Sequence, residues 1–292
     1  MKAAPFEFQR ARSLAEACER LRQHGADAKL IAGGQSLVPM MAMRLTRPAH
    51  LIDVNDIATL KFVAVEWDAV RIGACTPQRV VERNEALAAQ LPLLRQALAW
   101  VGHAQTRNRG TVGGSLAHAD PAAELPLAAQ VLGATMTLRS TRGARSVAAA
   151  DFFRGPLTTA IEPHECLEAV SWPLWKEKRT GSAFTEVSRR HGDFAIVAAC
   201  AQVAIDDAGK CTRASFGLAG GGSTPLAFPA LAARLVGTQL EDNAIKGAAL
   251  EAAGAFDPGS DLHASPAYRR HLAEVLVARA LRAAHAHARS KR

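Results

Sequence analysis

Two glycine pairs far apart in the chain, Gly33–Gly34 and Gly113–Gly114, limit what it can fold into more than any other feature. The first lies in Leu30-Ile31-Ala32-Gly33-Gly34-Gln35-Ser36-Leu37, between a short apolar run and a helical one. The second lies in Asn108-Arg109-Gly110-Thr111-Val112-Gly113-Gly114-Ser115-Leu116. Glycine lets a backbone enter positive φ and approach a ligand with no Cβ in the way. Successive exposed N–H groups then form a concave anion site. Ser36 opens a helix, whose N-terminus adds free amides and partial positive charge. Two such loops facing each other can hold a diphosphate from both sides, although each alone also reads as a plain tight turn. Neither is followed by the Lys-Ser or Lys-Thr of a phosphate loop, and neither has the GxGxxG of a dinucleotide fold. The run Gly217–Gly222 also misses that pattern and reads as a strand-to-loop exit.

Composition removes several other classes. With 292 residues, 49% of them hydrophobic and 21% charged, the chain reads as globular, in one large domain or two smaller ones. Only 5% are aromatic, so the core must be largely Ala, Val and Leu. The longest apolar run, Phe194 to Ala201, is far below the roughly 20 residues of a membrane span. The opening MKAAPFEFQRAR has no apolar stretch of a secretory signal. Cys18, Cys75, Cys166, Cys200 and Cys211 include no CxxC, so the ligand spacing of a zinc ribbon or iron–sulfur cluster is missing. They read as reduced thiols of a cytoplasmic protein. The net charge of +8 invites a nucleic-acid reading. The bases are spread thinly and no aromatic stacking series accompanies them, which argues against it.

Periodicity and punctuation suggest the elements. Ser13 caps a helix over 13–24 that Gly25 ends. A strand follows over 29–32, then a helix from Ser36 through Leu45, with Met40, Met41 and Met43 packed in the core, and a strand over 50–54. Residues 61–74 read as a hairpin, and Thr76–Pro77 starts a helix with Thr76 as its cap. A helix over 93–101 leads into a loop of almost no periodicity, 102–125, with His103 at a helix end. Strands are expected at 134–139, 145–148 and 167–172. A charged linker, 175–181, precedes three antiparallel strands, 182–189, 196–206 and 211–218. Helices over 227–236, 241–255 and 266–287 complete an α+β C-terminal part.

Read together and in order, the loops are more specific. AGGQSLVPMMAMRL (32–45), TRNRGTVGGSLAHADPAAELP (106–126) and FTEVSRRHGDFAIVA (184–198) resemble three stretches of the FAD-binding medium subunit of the molybdenum hydroxylases. That family includes xanthine dehydrogenase, aldehyde oxidase and aerobic carbon monoxide dehydrogenase. The resemblance spans essentially the whole chain, and the second stretch is the most distinctive.

The resemblance implies a vanillyl-alcohol-oxidase, or PCMH-type, FAD-binding fold over 1–176. Its two α/β subdomains would cover about 1–55 and 56–176. A C-terminal α+β domain, with a three-stranded antiparallel sheet and helices, would cover 177–292. By the same resemblance Leu30, Ile31, Ala32, Gly33, Gly34, Gln35, Ser36 and Leu37 wrap the diphosphate from one side. Gly110, Thr111, Gly114 and Ser115 hold it from the other. Val101, Gly102 and Thr106 lie near the adenine–ribose or ribityl side. Ala117 and Glu124 contact the flavin, and the backbone at Cys166–Leu167 reaches its ring. Relatives often have Asp where Glu124 stands. Phe194 is the counterpart of an aromatic residue that covers the ring in several relatives. Thr185 replaces a lysine of some relatives, so a lysine contact is not carried over. His118 and Asp120 read as groups serving their own loop rather than an acid–base pair.

No catalytic side chain and no metal ligand of this chain is implied. A flavin carries the redox chemistry itself, and its protein supplies binding, orientation and control of access. The molybdenum cofactor and [2Fe-2S] clusters are expected on a large and a small partner subunit, in a dimer of heterotrimers. Electrons would leave to NAD+, a quinone or oxygen. The rival reading is a stand-alone FAD-dependent oxidoreductase with its own small substrate.

Overall fold

The computed structural model describes residues 2–291. The chain opens with β1 (Glu7–Arg10), α1 (Leu14–His24), β2 (Ala28–Ile31), α2 (Leu37–Ala42) and β3 (His50–Asp53). The three strands are parallel, in the order β1-β3-β2, and the two helices make the crossovers that parallel pairing requires. α1 starts where expected, because the Ser13 hydroxyl accepts the Glu16 amide at 3.1 Å. It buries Ala17, Cys18 and Leu21 on one face. β1 is an exposed edge strand with no apolar alternation to announce it. α2 ends at Ala42, short of the expected Leu45, and Arg44 turns away with φ of 61°. Ser36 holds the N-cap position, but its side chain makes no capping bond. Met41 is buried and Met43 is 50% exposed, so the three methionines do not share a core role.

The middle of the chain builds β4 (Val63–Val65), β5 (Ala69–Gly73), α3 (Gln78–Glu82), α4 (Glu85–Gln90), α5 (Pro92–Leu98), α6 (Ala104–Arg109), α7 (Val112–His118) and α8 (Glu124–Leu132). It continues with β6 (Thr135–Ser140), β7 (Gly143–Ala148), α9 (Ala149–Phe152), the small hairpin β8 (Phe153–Gly155) and β9 (Thr158–Thr159), and β10 (Cys166–Pro173). Five of these strands form an antiparallel sheet, β4-β5-β10-β6-β7. β10 is central, and its Val170 and Trp172 are fully buried. The stretch 102–125 is not the aperiodic loop its pattern suggests. It folds into α6, α7 and the start of α8. α7 buries only Val112, Gly113 and Leu116, too few apolar residues to leave a helical signature. Thr76 does not cap α3 either. Its hydroxyl donates to the Phe62 carbonyl at 3.0 Å and accepts the Phe62 amide at 3.1 Å, which ties the helix to the preceding hairpin.

The last part is β11 (Thr180–Val187), β12 (Val197–Ile205), β13 (Cys211–Ala219), β14 (Leu226–Ala227), α10 (Pro229–Leu235), α11 (Asp242–Ala255) and α12 (Pro266–Ser290). The three expected antiparallel strands are joined at the edge by the short β14. Every residue of β12 is buried, because this sheet is covered on both faces. Ala198 and Cys200 join the core of the five-stranded sheet, while Val197, Ala199 and Ala201 pack with α12. The fold is thus mixed α and β throughout, and no helix of the described residues is long and apolar enough to cross a membrane.

Small residues let α12 approach β11 closely: a Cβ at Gly181 would overlap the Ala284 carbonyl and the Ala288 amide. Backbone cannot yield as a flexible side chain can, so Gly181→Val is expected to cost about 1–3 kcal/mol and lower the melting temperature by several degrees. A thermal unfolding curve superimposable on the wild type would contradict this packing.

Candidate cofactor site

The first glycine loop joins β2 to α2. Asn55, just after β3, holds it from behind, its Nδ2 donating to the Ala32 carbonyl at 2.8 Å. Asp53 fixes Asn55 in turn, accepting its amide at 2.9 Å and its side chain at 2.7 Å. Gly34 has φ of 71°, which turns the chain out of the strand. The amides of Gly33, Gly34, Gln35 and Ser36 donate to no acceptor among the described residues. Four consecutive unengaged donors fit an anion such as a diphosphate.

The two loops touch. A Cβ on Gly33 would overlap the Arg109 carbonyl and lie 2.9 Å from the Gly110 Cα. Gly33 is therefore packed directly against the backbone of the second loop, which joins α6 to α7. The amides of that second loop are used differently from what its sequence suggests. Val112 donates to the Thr76 carbonyl at 3.1 Å and Gly113 to the Ala74 carbonyl at 2.9 Å. Gly114 donates to the Thr111 hydroxyl at 3.0 Å, the cap of α7. Gly110 donates to Thr106 and accepts from Gln78. The expected anion nest at Gly113–Gly114 is thus satisfied internally. Gly113 is glycine because Ala74 leaves no room for a side chain, a Cβ lying 2.6 Å from the Ala74 Cα. What this loop does present is one face of α7, where Gly114 and Ala117 are exposed and Ser115 and His118 half-buried. Gly110 and Thr111 lie buried behind it.

A third segment, Val101 to Thr106, borders the same region. Arg107 secures it, donating from Nη1 to the Val101 and Gly102 carbonyls at 2.9 and 3.2 Å. The same guanidinium grips Glu82 with two bonds, at 3.0 and 3.1 Å, and Arg79 adds another at 2.8 Å. His103 stands at the start of α6 rather than at a helix end. The segment 188–196 lies against it: a Cβ on Gly192 would fall 2.8 Å from the Gly102 carbonyl, and His191 stacks on Trp100 with centroids 5.2 Å apart. Phe194, in that segment, is 68% exposed. Thr185 faces the other way, its hydroxyl 3.2 Å from the Ala199 carbonyl and 3.3 Å from that of Leu276 on α12.

Glu124 opens α8 and is only 7% exposed; burial pushes its carboxyl up to about 7, with Asp120 adding to the rise and Arg107 opposing it. Asp120 serves its own loop by accepting the Ala122 amide at 2.8 Å. Leu167 is buried in the core of the five-stranded sheet. It shares that core with Val112 and Leu116 of α7, and its neighbour links to the second loop: the Glu168 carbonyl accepts from Ala74, whose own carbonyl accepts from Gly113. The structure therefore brings 30–37 and 109–110 into direct contact, and sets 101–106 beside the segment 188–196. Asn55, Asp53, Arg107, Glu82 and Gln78 support these segments without belonging to either glycine motif, and no spacing in the sequence marks them.

Comparison with known proteins decides the family. Residues 4–175 match the FAD binding domain in molybdopterin dehydrogenase, and residues 182–284 match the CO dehydrogenase flavoprotein C-terminal domain. The chain belongs to the family of FAD-binding subunits of the molybdopterin dehydrogenases. It is 39% identical to the carbon monoxide dehydrogenase medium chain of Afipia carboxidovorans, over 98% of each chain. It is 38% identical to the 6-hydroxypseudooxynicotine dehydrogenase complex subunit alpha of Paenarthrobacter nicotinovorans, over 96% of this chain and 95% of that one. Among solved structures, quinoline 2-oxidoreductase from Pseudomonas putida 86 superposes with a TM-score of 0.93 at 35% identity, covering 99% of each chain. FAD is the cofactor of this family, whose members are oxidoreductase subunits.

Two substitutions probe the contact between the loops. Gly33→Ala places a methyl against the Arg109 carbonyl and drives the loops apart. Gly114→Asp sets a carboxylate on the exposed face of α7. Each is expected to weaken FAD binding at least about tenfold, roughly 1.4 kcal/mol. The flavin-to-protein ratio of the purified variants measures this, and wild-type occupancy in both would contradict the site.

Proposed function

We propose that this chain is the FAD-carrying medium subunit of a heteromeric molybdenum hydroxylase. In this reading electrons pass from iron–sulfur clusters on a small partner subunit to the flavin, and on to an external acceptor. The molybdenum cofactor belongs to a large partner. When bound, FAD supplies the exchange between one- and two-electron carriers that such a relay needs. The observation that carries the reading is the free amide run 33–36 packed against the second loop.

Each part of the chain has a defined task. The amides of Gly33 to Ser36 bind the diphosphate. The exposed Gly114 and Ala117 on α7, with Ser115 beside them, would hold the cofactor on one side, and Leu30, Ile31, Ala32 and Leu37 would shape the floor. Val101, Gly102 and Thr106, held by Arg107, line the sugar side. The backbone at Leu167 and the side chain of Glu124 bound the ring, and the exposed Phe194 covers it. A division near residues 176–177 is part of this reading. The two family matches on either side of it and the separate core around α12 support that division. In this reading the substrate is chosen by the large partner. NAD+, a quinone or oxygen takes the electrons.

The chain produced alone is expected to bind FAD and to oxidise none of the substrates of the relatives, carbon monoxide and N-heterocycles included. Purified from its own cells, it is expected to come with a small iron–sulfur protein and a large molybdenum protein, in equal amounts as a dimer of heterotrimers. Native mass spectrometry and metal analysis measure this. A flavin-loaded single chain that turns over a substrate unaided would favour the stand-alone oxidoreductase instead.

A further inference from the structure

A buried carboxyl with no counter-charge sits where the third sheet meets the second. Glu186 lies on the face of β11 shared with Phe184, turned to the core of the five-stranded sheet. It is 7% exposed, and neither carboxylate oxygen has a hydrogen-bond partner among the described residues. A short ladder leads from it to α8. Glu186 pairs with Ala198, Ala198 with Ala219, and the following Gly220 donates its amide to the Pro121 carbonyl at 3.0 Å. Glu124 comes three residues after Pro121, and its charge acts on Glu186.

The surroundings offer Glu186 no compensation. Packed against β11, α5 presents Gln96, which is neutral and donates to the Ser182 carbonyl. β12 presents Ala198 and Cys200. The segment 188–196 carries Arg189, Arg190, His191 and Asp193, of which Arg190 is 82% exposed in its side chain and paired with Asp193. α12 packs on the opposite face, where Thr185 points. Asp120 and Arg107 act on Glu124 with opposite signs. An ion so buried, with a second carboxyl as its ionisable neighbour, is held far more easily as the neutral acid.

We propose that Glu186 is a proton-carrying wall of the FAD crevice, and that FAD binds the chain in which Glu186 is protonated. The inference rests on the FAD reading above. Glu186 stands two residues before the segment 188–196 that lies against Gly102, and in the FAD reading its ionisable neighbour Glu124 bounds the ring, so FAD adds negative charge to the crevice they border. An ionised Glu186 opposes it, and a neutral one does not. Linkage is reciprocal, so FAD binding must raise the proton affinity of Glu186 and take up a proton when that group is ionised beforehand.

Burial, with Glu124 adding to it, pushes the Glu186 carboxyl up to about 8 in the folded chain, from an ordinary value of 4.5. The folded state thus holds a proton that the unfolded state releases. The stability this gives is complete below the ordinary value and is lost as pH rises through the folded one. FAD affinity follows the same direction.

Calorimetric titration of FAD into the deflavinated full chain, in two buffers of different ionisation heat at pH 8, reads the proton directly. Net uptake is expected, and the FAD dissociation constant should rise with pH above about 8, by up to about tenfold per pH unit. Glu186→Gln keeps the shape of the side chain without the titration. It is expected to lose most of the uptake at pH 8 and to lose the rise of the dissociation constant above about pH 8, leaving only the titration of Glu124 at about 7. Glu124→Gln removes the neighbouring charge and should move the wild-type midpoint to lower pH, which reads the same linkage if the first variant folds poorly. FAD binding by the wild type without proton uptake, or full uptake in Glu186→Gln, would overturn the inference alone. No FAD binding at any pH would overturn the functional reading and the inference with it.

Discussion

The close approach of Gly33 to the backbone of Arg109 and Gly110 is the constraint on which the rest of the site depends. A single added methyl would not fit between them. The loop after β2 and the loop between α6 and α7 meet at this point, and each is braced on its far side. Asn55 and Asp53 hold the first, and Thr76, Ala74 and Gln78 take up the amides and carbonyl of the second. The contact therefore fixes the two loops against each other.

The two glycine pairs look alike on paper and differ in what they do. Gly33–Gly34 lies in a run of amides left unengaged by the fold, which is costly unless water or a ligand completes them. Gly113–Gly114 has its amides bonded internally, so its glycines serve packing: one against Ala74, the other against the Thr111 hydroxyl, 2.7 Å from where its Cβ would lie, on the exposed face of α7. One loop offers free amides and the other a surface. Such an arrangement suits a long cofactor with an anionic middle and a flat end.

The sequence made the strongly patterned elements legible. The helix at 14–24 announces itself by its Ser13 cap, and the three strands of the last sheet by the charged stretch before them and the Asp206–Gly209 turn between the last two. Less was legible where tertiary contacts decide. The edge strand at 7–10 has no buried face, and the helices at 104–109 and 112–118 bury too little to show a period. Thr76 gave up its capping role because its hydroxyl bonds the Phe62 backbone instead, and Ser36 stands at the N-cap without a capping bond. The site was legible through its glycines, whose order and neighbours resemble those of the flavin subunits. Arg107, Asn55 and Glu186 were not, since their roles exist only once three segments of chain are folded together.

Amide hydrogen exchange with and without FAD, followed in peptides covering 30–37 and 111–118, is the most direct measurement of the central claim. The account predicts that FAD slows exchange in 30–37 by about tenfold or more, where the amides are free, and changes 112–114 far less, where they are already bonded. FAD bound with no slowing in 30–37 would place the diphosphate elsewhere and contradict the account.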